Sequence, residues 1–340
     1  MIPWLLLLLS LAVILVGCDL FTNGIEWAGK RLNLAEGAVG SVLAAVGTCL
    51  PETFIAILAI VFGKKGGSGD AVGIGAILGA PLMLSTVAFF ITGVAILYFS
   101  KRGLRTTEMP VNHKVIGRDL RFFFIVFSLA AAASWLPTRA AKIGVALALI
   151  VLYGIYVRQT FADEAEEGVH EDISPLHFSK FAKHVVDPHM LIIALQVVAG
   201  LGILVFGAHL FVDKLTQIAK TTGLNVLVLS LILTPIATEL PEKFNSVLWV
   251  RRKKDTLALG NISGAMVFQS SVVPAVGMIF TNWVLNSVAI ASVVIAILSS
   301  GAVWLEMTIK KRMSPYPLLI GGVFYVGYII WMWQSGHLNS

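Results

Sequence analysis

An all-α transmembrane fold of ten helices, arranged as two inverted five-helix repeats, is the fold class this sequence predicts, and three observations predict it. Hydrophobic residues make up 57% and charged residues 13% of the 340 residues, against roughly 45–50% and about 25% in soluble domains. Ten apolar stretches follow one another along the chain, enough for ten crossings at about 20 residues each. Two segments of the first half also recur in the second at one constant offset. Such a composition excludes a secreted domain, a soluble enzyme and a nucleic-acid binder. The net charge of +6 is topological, because Lys and Arg of polytopic proteins collect in cytoplasmic connections.

The first stretch, 2–23, contains Leu15-Val16-Gly17-Cys18, which resembles the cleavage box of a lipoprotein. Its opening Met1-Ile2-Pro3-Trp4 carries no Lys or Arg, unlike the start of a signal peptide, so the expectation is a first transmembrane helix. The other stretches cover 34–62, 71–99, 120–136, 140–157, 190–212, 223–250, 256–280, 284–305 and 315–333. One connection is long and acidic, with Asp163, Glu164, Glu166, Glu167, Glu171 and Asp172. It divides the chain into a five-helix half 1–157, a loop 158–189 and a second five-helix half 190–340. Six Lys and Arg fall on one side of the spans and 18 on the other, with Lys243 inside a span. That bias places both termini outside and the acidic loop in the cytoplasm of a multi-pass protein of the inner (plasma) membrane. Cys18 and Cys49 both lie in apolar segments, so there is no disulfide framework.

Repetition is the next signal. Val16-Gly17-Cys18-Asp19-Leu20-Phe21 sets against Phe206-Gly207-Ala208-His209-Leu210-Phe211, and Gly47-Thr48-Cys49-Leu50-Pro51-Glu52 against Ala237-Thr238-Glu239-Leu240-Pro241-Glu242, both at an offset of 190. Gly75 and Gly79 match Gly260 and Gly264 at 185. Five spans per unit is an odd number, so the second copy enters the membrane in the opposite direction, as in many secondary transporters with a midplane site on interrupted helices.

The repeated elements carry the chemistry. Glu52 and Glu242 stand near the middle of apolar spans, where a carboxylate costs about 2.5–3.5 kcal/mol even on lenient insertion scales. Pro51 and Pro241 directly precede them and interrupt the helix by removing a backbone donor. Thr48 and Glu52, like Thr238 and Glu242, are four residues apart and share a helix face. Two such faces across a pseudo-twofold axis offer an all-oxygen set suited to a hard cation such as calcium. The competing reading is structural, each Glu tying a kinked helix to its neighbour.

These segments, with Ala45-Val46 before the first and Gly260-Asn261-Ile262-Ser263-Gly264-Ala265-Met266-Val267-Phe268-Gln269 after the second, resemble the two alpha repeats of the sodium/calcium exchanger branch of the calcium/cation antiporter superfamily. The resemblance covers nearly the whole chain. It implies a ten-helix cation antiporter, without a cofactor, that exports calcium in exchange for sodium or protons. It further implies that Glu52 and Glu242 bind calcium, that Thr48, Thr238 and Asn261 contribute oxygens, and that Ala45 contributes its carbonyl. The family pattern is G-T-S-L-P-E and then G-N-x-x-G-S-N-I-F-N. Here its Ser is Cys49 in one repeat and Glu239 in the other, Pro235 replaces an Ala whose carbonyl is a ligand, and Gln269 keeps an amide at the last liganding position. In the first half the second motif reads Gly75-Ala76-Ile77-Leu78-Gly79-Ala80-Pro81-Leu82-Met83-Leu84, with every polar ligand gone.

Two arrangements of the second repeat stay open. Either Glu239 pairs with Lys243 in the favourable i,i+4 order, leaving Glu52 and Glu242 as two net negative charges, or Lys243 reaches to the interface and Glu239 is a third ligand. His170, His177 and His184 recur every seven residues in the acidic loop, but Pro175 breaks any helix that would align them. A degenerate homologue, acting as a non-coupled or regulatory cation-binding protein, is the alternative function. An intramembrane thiol enzyme at Cys49 lacks a matching His to activate it. The expected partners are the lipid bilayer and inorganic cations, with no nucleic acid.

Overall fold

The computed structural model describes residues 2–31, 49–62, 68–164, 175–180 and 188–336. Its helices are α1 (Ile2–Arg31), α2 (Leu50–Phe62), α3 (Ser68–Met83), α4 (Phe89–Lys101), α5 (His113–Ala132), α6 (Arg139–Glu164), α7 (Met190–Thr222), α8 (Val226–Thr238), α9 (Leu240–Arg251), α10 (Asp255–Phe280), α11 (Ser287–Lys310) and α12 (Pro315–Gln334). A π-helical turn, Leu84–Ala88, joins α3 to α4 into one rod. It follows Pro81, which lacks the amide a regular ladder needs. Among the described residues no strand forms, and seven helical segments are long and apolar enough to cross a membrane. The fold is all-α and transmembrane.

Internal symmetry is visible in the pairing of α1 with α7. A Cβ at Gly17 would stand 2.8 Å from the Leu204 nitrogen, and one at Gly207 would stand 3.1 Å from the Ile14 nitrogen. Ile14 and Leu204, like Gly17 and Gly207, are 190 residues apart, so the contact maps onto itself when the halves exchange. Small residues at such a crossing let two backbones approach, and packing of this kind holds helices together in lipid. The halves also interlock: α10 packs on α5 and α6, while the rod of α3, π-turn and α4 packs on α11 and α12.

The middle of the bundle is α10, buried along most of its length. Around it, Leu5, Leu8 and Leu9 of α1, Leu191, Val198 and Phe206 of α7 and Val323 and Val326 of α12 are exposed apolar residues, the surface a bilayer would cover. Several spans differ from their sequence expectations: 140–157 extends to Glu164, 190–212 continues to Thr222, and 223–250 is two helices, Val226–Thr238 and Leu240–Arg251. The helix expected over 120–136 starts at His113, capped by Asn112, whose Oδ1 accepts from the amides of Lys114 and Val115. Arg118 and Asp119 are consequently buried in protein, pairing with each other and with α10 instead of marking a loop. Arg105, in the connection after α4, is likewise buried. Its guanidinium donates to both carboxylate oxygens of Asp255, at 2.6 and 2.7 Å, and to the Val250 carbonyl at 2.9 Å. A bidentate pair of this kind fixes geometry as well as charge, and here it holds the turn between α9 and α10.

Candidate cation site

α8 begins at Asn225, whose side chain accepts from the amides of Leu227 and Val228, and stops at Thr238. The break that the Pro241 position predicts is therefore present. Glu239 (φ −89°, ψ 13°) is the hinge, closing α8 and opening α9. Its amide donates to the Pro235 carbonyl at 3.2 Å and its carbonyl accepts from the Lys243 amide at 3.3 Å. Pro241, having no N–H, cannot serve the Ala237 carbonyl four residues back.

Upstream, Ser230, Thr234 and Thr238 follow at four-residue spacing on one face of α8, and all three are fully buried. Thr238 donates its hydroxyl to the Thr234 carbonyl at 2.9 Å. The Thr234 and Ser230 hydroxyls lie 3.3 Å apart, and Ser230 donates to the Val72 carbonyl of α3 at 2.6 Å. This polar stripe leads into the hinge. Its S-x-x-x-T-x-x-x-T spacing was legible in the sequence, although Thr234 was not singled out there.

The hinge holds a buried charge pair. Glu239 is 0% exposed and Lys243 6%; Lys243 Nζ lies 3.4 Å from Glu239 Oε2 and 3.3 Å from the Pro235 carbonyl oxygen. Of the two arrangements open at the sequence level, the paired one is present. Pro235, expected to offer its carbonyl to a cation, offers it to an ammonium. The Tyr325 hydroxyl of α12 is buried without a hydrogen bond among the described residues.

On α10, Gln269 is 1% exposed and donates through Nε2 to the Cys49 carbonyl at 3.5 Å, reaching from the second repeat to the start of α2 in the first. Asn261 Nδ2 and Ser270 Oγ are buried without a hydrogen bond among the described residues. Cys49 is buried, and its carbonyl also accepts from the Thr53 amide (3.3 Å) and hydroxyl (2.6 Å). On α3 the corresponding positions are apolar: Ala76, Ala80, Pro81 and Leu84 are all buried. A Cβ on Gly75 would stand 2.6 Å from the Leu227 carbonyl oxygen of α8, and one on Gly79 closer still to that of Leu231. Backbone meets backbone there.

Glu52 and Glu242 occupy the third positions of α2 and α9, equivalent places in the two repeats; the structure describes their helical backbone but not their side chains. Ala45 and Thr48 lie outside the described residues, as do His170 and His184. His177 pairs with Asp19 at 2.9 Å, and among the described residues no group of three or more His, Cys, Asp or Glu is arranged to hold a metal. Asn23 ties loop to helix, its Oδ1 accepting from the His177 amide and from Gln196 Nε2.

Sequence reasoning missed a second polar cluster. Asp119 Oδ2 accepts from Ser263 Oγ at 2.7 Å, Asp119 Oδ1 accepts from Arg118 at 3.2 and 3.3 Å, and the Arg118 guanidinium lies over the Tyr156 ring at 5.5 Å. An adjacent Arg-Asp at the edge of an apolar stretch was its only signal.

The sequence profile of the sodium/calcium exchanger protein family matches residues 2–161 and 192–335. The chain is 26% identical over 297 residues to the uncharacterized membrane protein MJ0091 of Methanocaldococcus jannaschii, covering 85% of each. In structure it is similar to an H+/Ca2+ exchanger, CAX, with a TM-score of 0.73 at 16% identity over 95% of this chain and 81% of that one. It is also similar to the sodium-calcium exchanger NCX_Mj, with a TM-score of 0.56 at 20% identity over 97% and 98%.

Proposed function

This chain belongs to the sodium/calcium exchanger protein family, a family of secondary cation antiporters rather than enzymes, and we propose that it exchanges calcium for protons by alternating access at a site built on Glu52 and Glu242. Thr48, Thr238 and the Ala45 carbonyl would complete the oxygen set, with Asn261 and Gln269 supplying amides. The empty site, with two net negative charges, is costly to occlude in a low-dielectric bundle, whereas the loaded site is neutral. Obligatory exchange follows from that difference.

The observation that carries the choice of proton is the apolar α3. Sodium needs a shell of oxygens, and Ala76, Ala80, Pro81 and Leu84 provide no side-chain oxygen, while Gly75 and Gly79 lie against the backbone of α8. A proton needs only a carboxylate. Sodium coupling is the second reading, favoured by the retained amides of Asn261 and Gln269. The orientation that goes with the proposal has both termini outside and residues 158–189 in the cytoplasm, separating a half of 1–157 from one of 190–340, in the plasma membrane. Uptake of radiolabelled calcium by proteoliposomes holding the full chain and loaded with unlabelled calcium tests the cargo. Counterflow above that of empty liposomes is the expected result, and its absence would overturn calcium as the cargo.

A further inference from the structure

We propose that the Lys243 ammonium is a tethered monovalent cation of the transport site: it permanently occupies the place beside Glu239 and the Pro235 carbonyl, so that sodium does not enter there and calcium exchange moves no net charge. The inference rests on the antiport reading above and extends it to what the site refuses and to the electrical character of the exchange.

Burial is the first reason. A lysine in the middle of an apolar span costs about as much as a carboxylate and is retained there only with partners. The partners of Lys243 are two oxygens of the kind a small cation takes, a carboxylate at 3.4 Å and a backbone carbonyl at 3.3 Å. The carbonyl belongs to Pro235, one turn above the hinge. An ammonium is a compact point charge with three donors, and on its four-carbon stem it delivers a single positive charge to that spot without being able to leave.

Comparison of the two repeats is the second reason. At the offset of 190, Glu239 and Lys243 correspond to Cys49 and Thr53. In the first repeat these two positions are uncharged, and the Thr53 hydroxyl donates to the Cys49 carbonyl at 2.6 Å. In the second repeat one negative and one positive residue stand in the same two places, so the pair leaves the total unchanged. Glu52, Glu239 and Glu242 together with Lys243 amount to a formal charge of two negatives, which one divalent ion neutralises and two protons replace. Removing the ammonium alone would leave a third negative charge and a vacated oxygen pair, a place for a monovalent metal ion.

The experiment uses the full chain and three proteins: wild type, Lys243→Met, and the double variant Glu239→Gln with Lys243→Met. Calcium flux in proteoliposomes is measured with the membrane potential clamped by potassium and valinomycin at zero and at 100 mV of either sign, and the thermal melting of each protein in detergent is measured in sodium chloride against choline chloride. Wild-type flux is expected to differ by less than twofold across the potentials. Lys243→Met is expected to become voltage-dependent by threefold or more and to gain a sodium-specific rise in melting temperature, and the double variant is expected to lose both. Voltage-dependent wild-type flux, or a folded Lys243→Met that melts identically in the two salts, would overturn the proposal. If the single variant does not fold, the double variant decides: voltage-independent flux supports the tethered cation, whereas voltage-dependent flux or a second failure to fold assigns the pair to stability alone and overturns it. Absence of calcium flux in wild type would sink the calcium reading instead, and the melting comparison would still decide the role of Lys243.

Discussion

Ser263 Oγ of α10 donates to Asp119 Oδ2 of α5 at 2.7 Å, inside the bundle and three residues before the second-motif position Met266 on the same helix. The bond joins the central helix to a helix of the other half, and the carboxylate is shared with Arg118. Replacing Asp119 by Ala would leave the Arg118 charge buried with its counter-ion removed, a loss of about 3–5 kcal/mol. Ser263→Ala removes one hydrogen bond and is expected to cost about 1–3 kcal/mol. Melting temperatures in detergent should fall in that order, and an Asp119→Ala protein as stable as wild type would remove the cluster from the account of stability.

Glu52→Gln and Glu242→Gln are each expected to abolish calcium binding while leaving the protein folded, since either change removes a full ligand charge from a site in an apolar span. Calorimetric titration with calcium, beside a wild-type control, checks both. An unchanged affinity in either variant would move the site elsewhere.

Restoring a continuous helix should harm transport more than folding. In Pro241→Ala the regained amide can serve the Ala237 carbonyl and straighten the junction of α8 with α9, which the hinge at Glu239 now keeps broken. Pro51→Ala is expected to behave alike in the first repeat. Calcium flux at wild-type rates in both variants would show that the prolines only bend the helices.

The symmetric crossing of α1 and α7 makes a separate claim on packing. A methyl group at Gly17 or Gly207 meets backbone or branched side chain of the partner helix within about 3 Å, so Gly17→Ala and Gly207→Ala are each expected to destabilise by about 1–3 kcal/mol. Gly202, on α7 with open space around it, should tolerate Ala with little change, and an equal loss at all three positions would contradict the crossing.

Much of this was legible because the controlling features are local in sequence or recur at a fixed spacing. The apolar runs gave the spans, the offset of 190 located the paired crossing and the hinge, and Pro241 announced the break at Glu239. What was not legible depended on which faces meet. Nothing local distinguishes a lysine that reaches for lipid headgroups from one that turns back to Pro235, and only the approach of α8 and α9 decides it. Arg105 and Asp255, 150 residues apart, look like loop charges until the turn after α9 brings them together. The start of α5 at His113 was hidden for the same reason: Arg118 and Asp119 suggest a connection unless Ser263 of a distant helix is there to receive them.

The coupling ion is identified most directly by one measurement: calcium efflux from proteoliposomes at fixed external pH with all sodium replaced by choline, while a trapped dye follows lumenal pH. Continued efflux, with the lumen acidifying in step with calcium loss, is the result predicted for calcium/proton exchange. Efflux that stops when sodium is withdrawn, with no change in lumenal pH, would contradict it and assign the exchange to sodium.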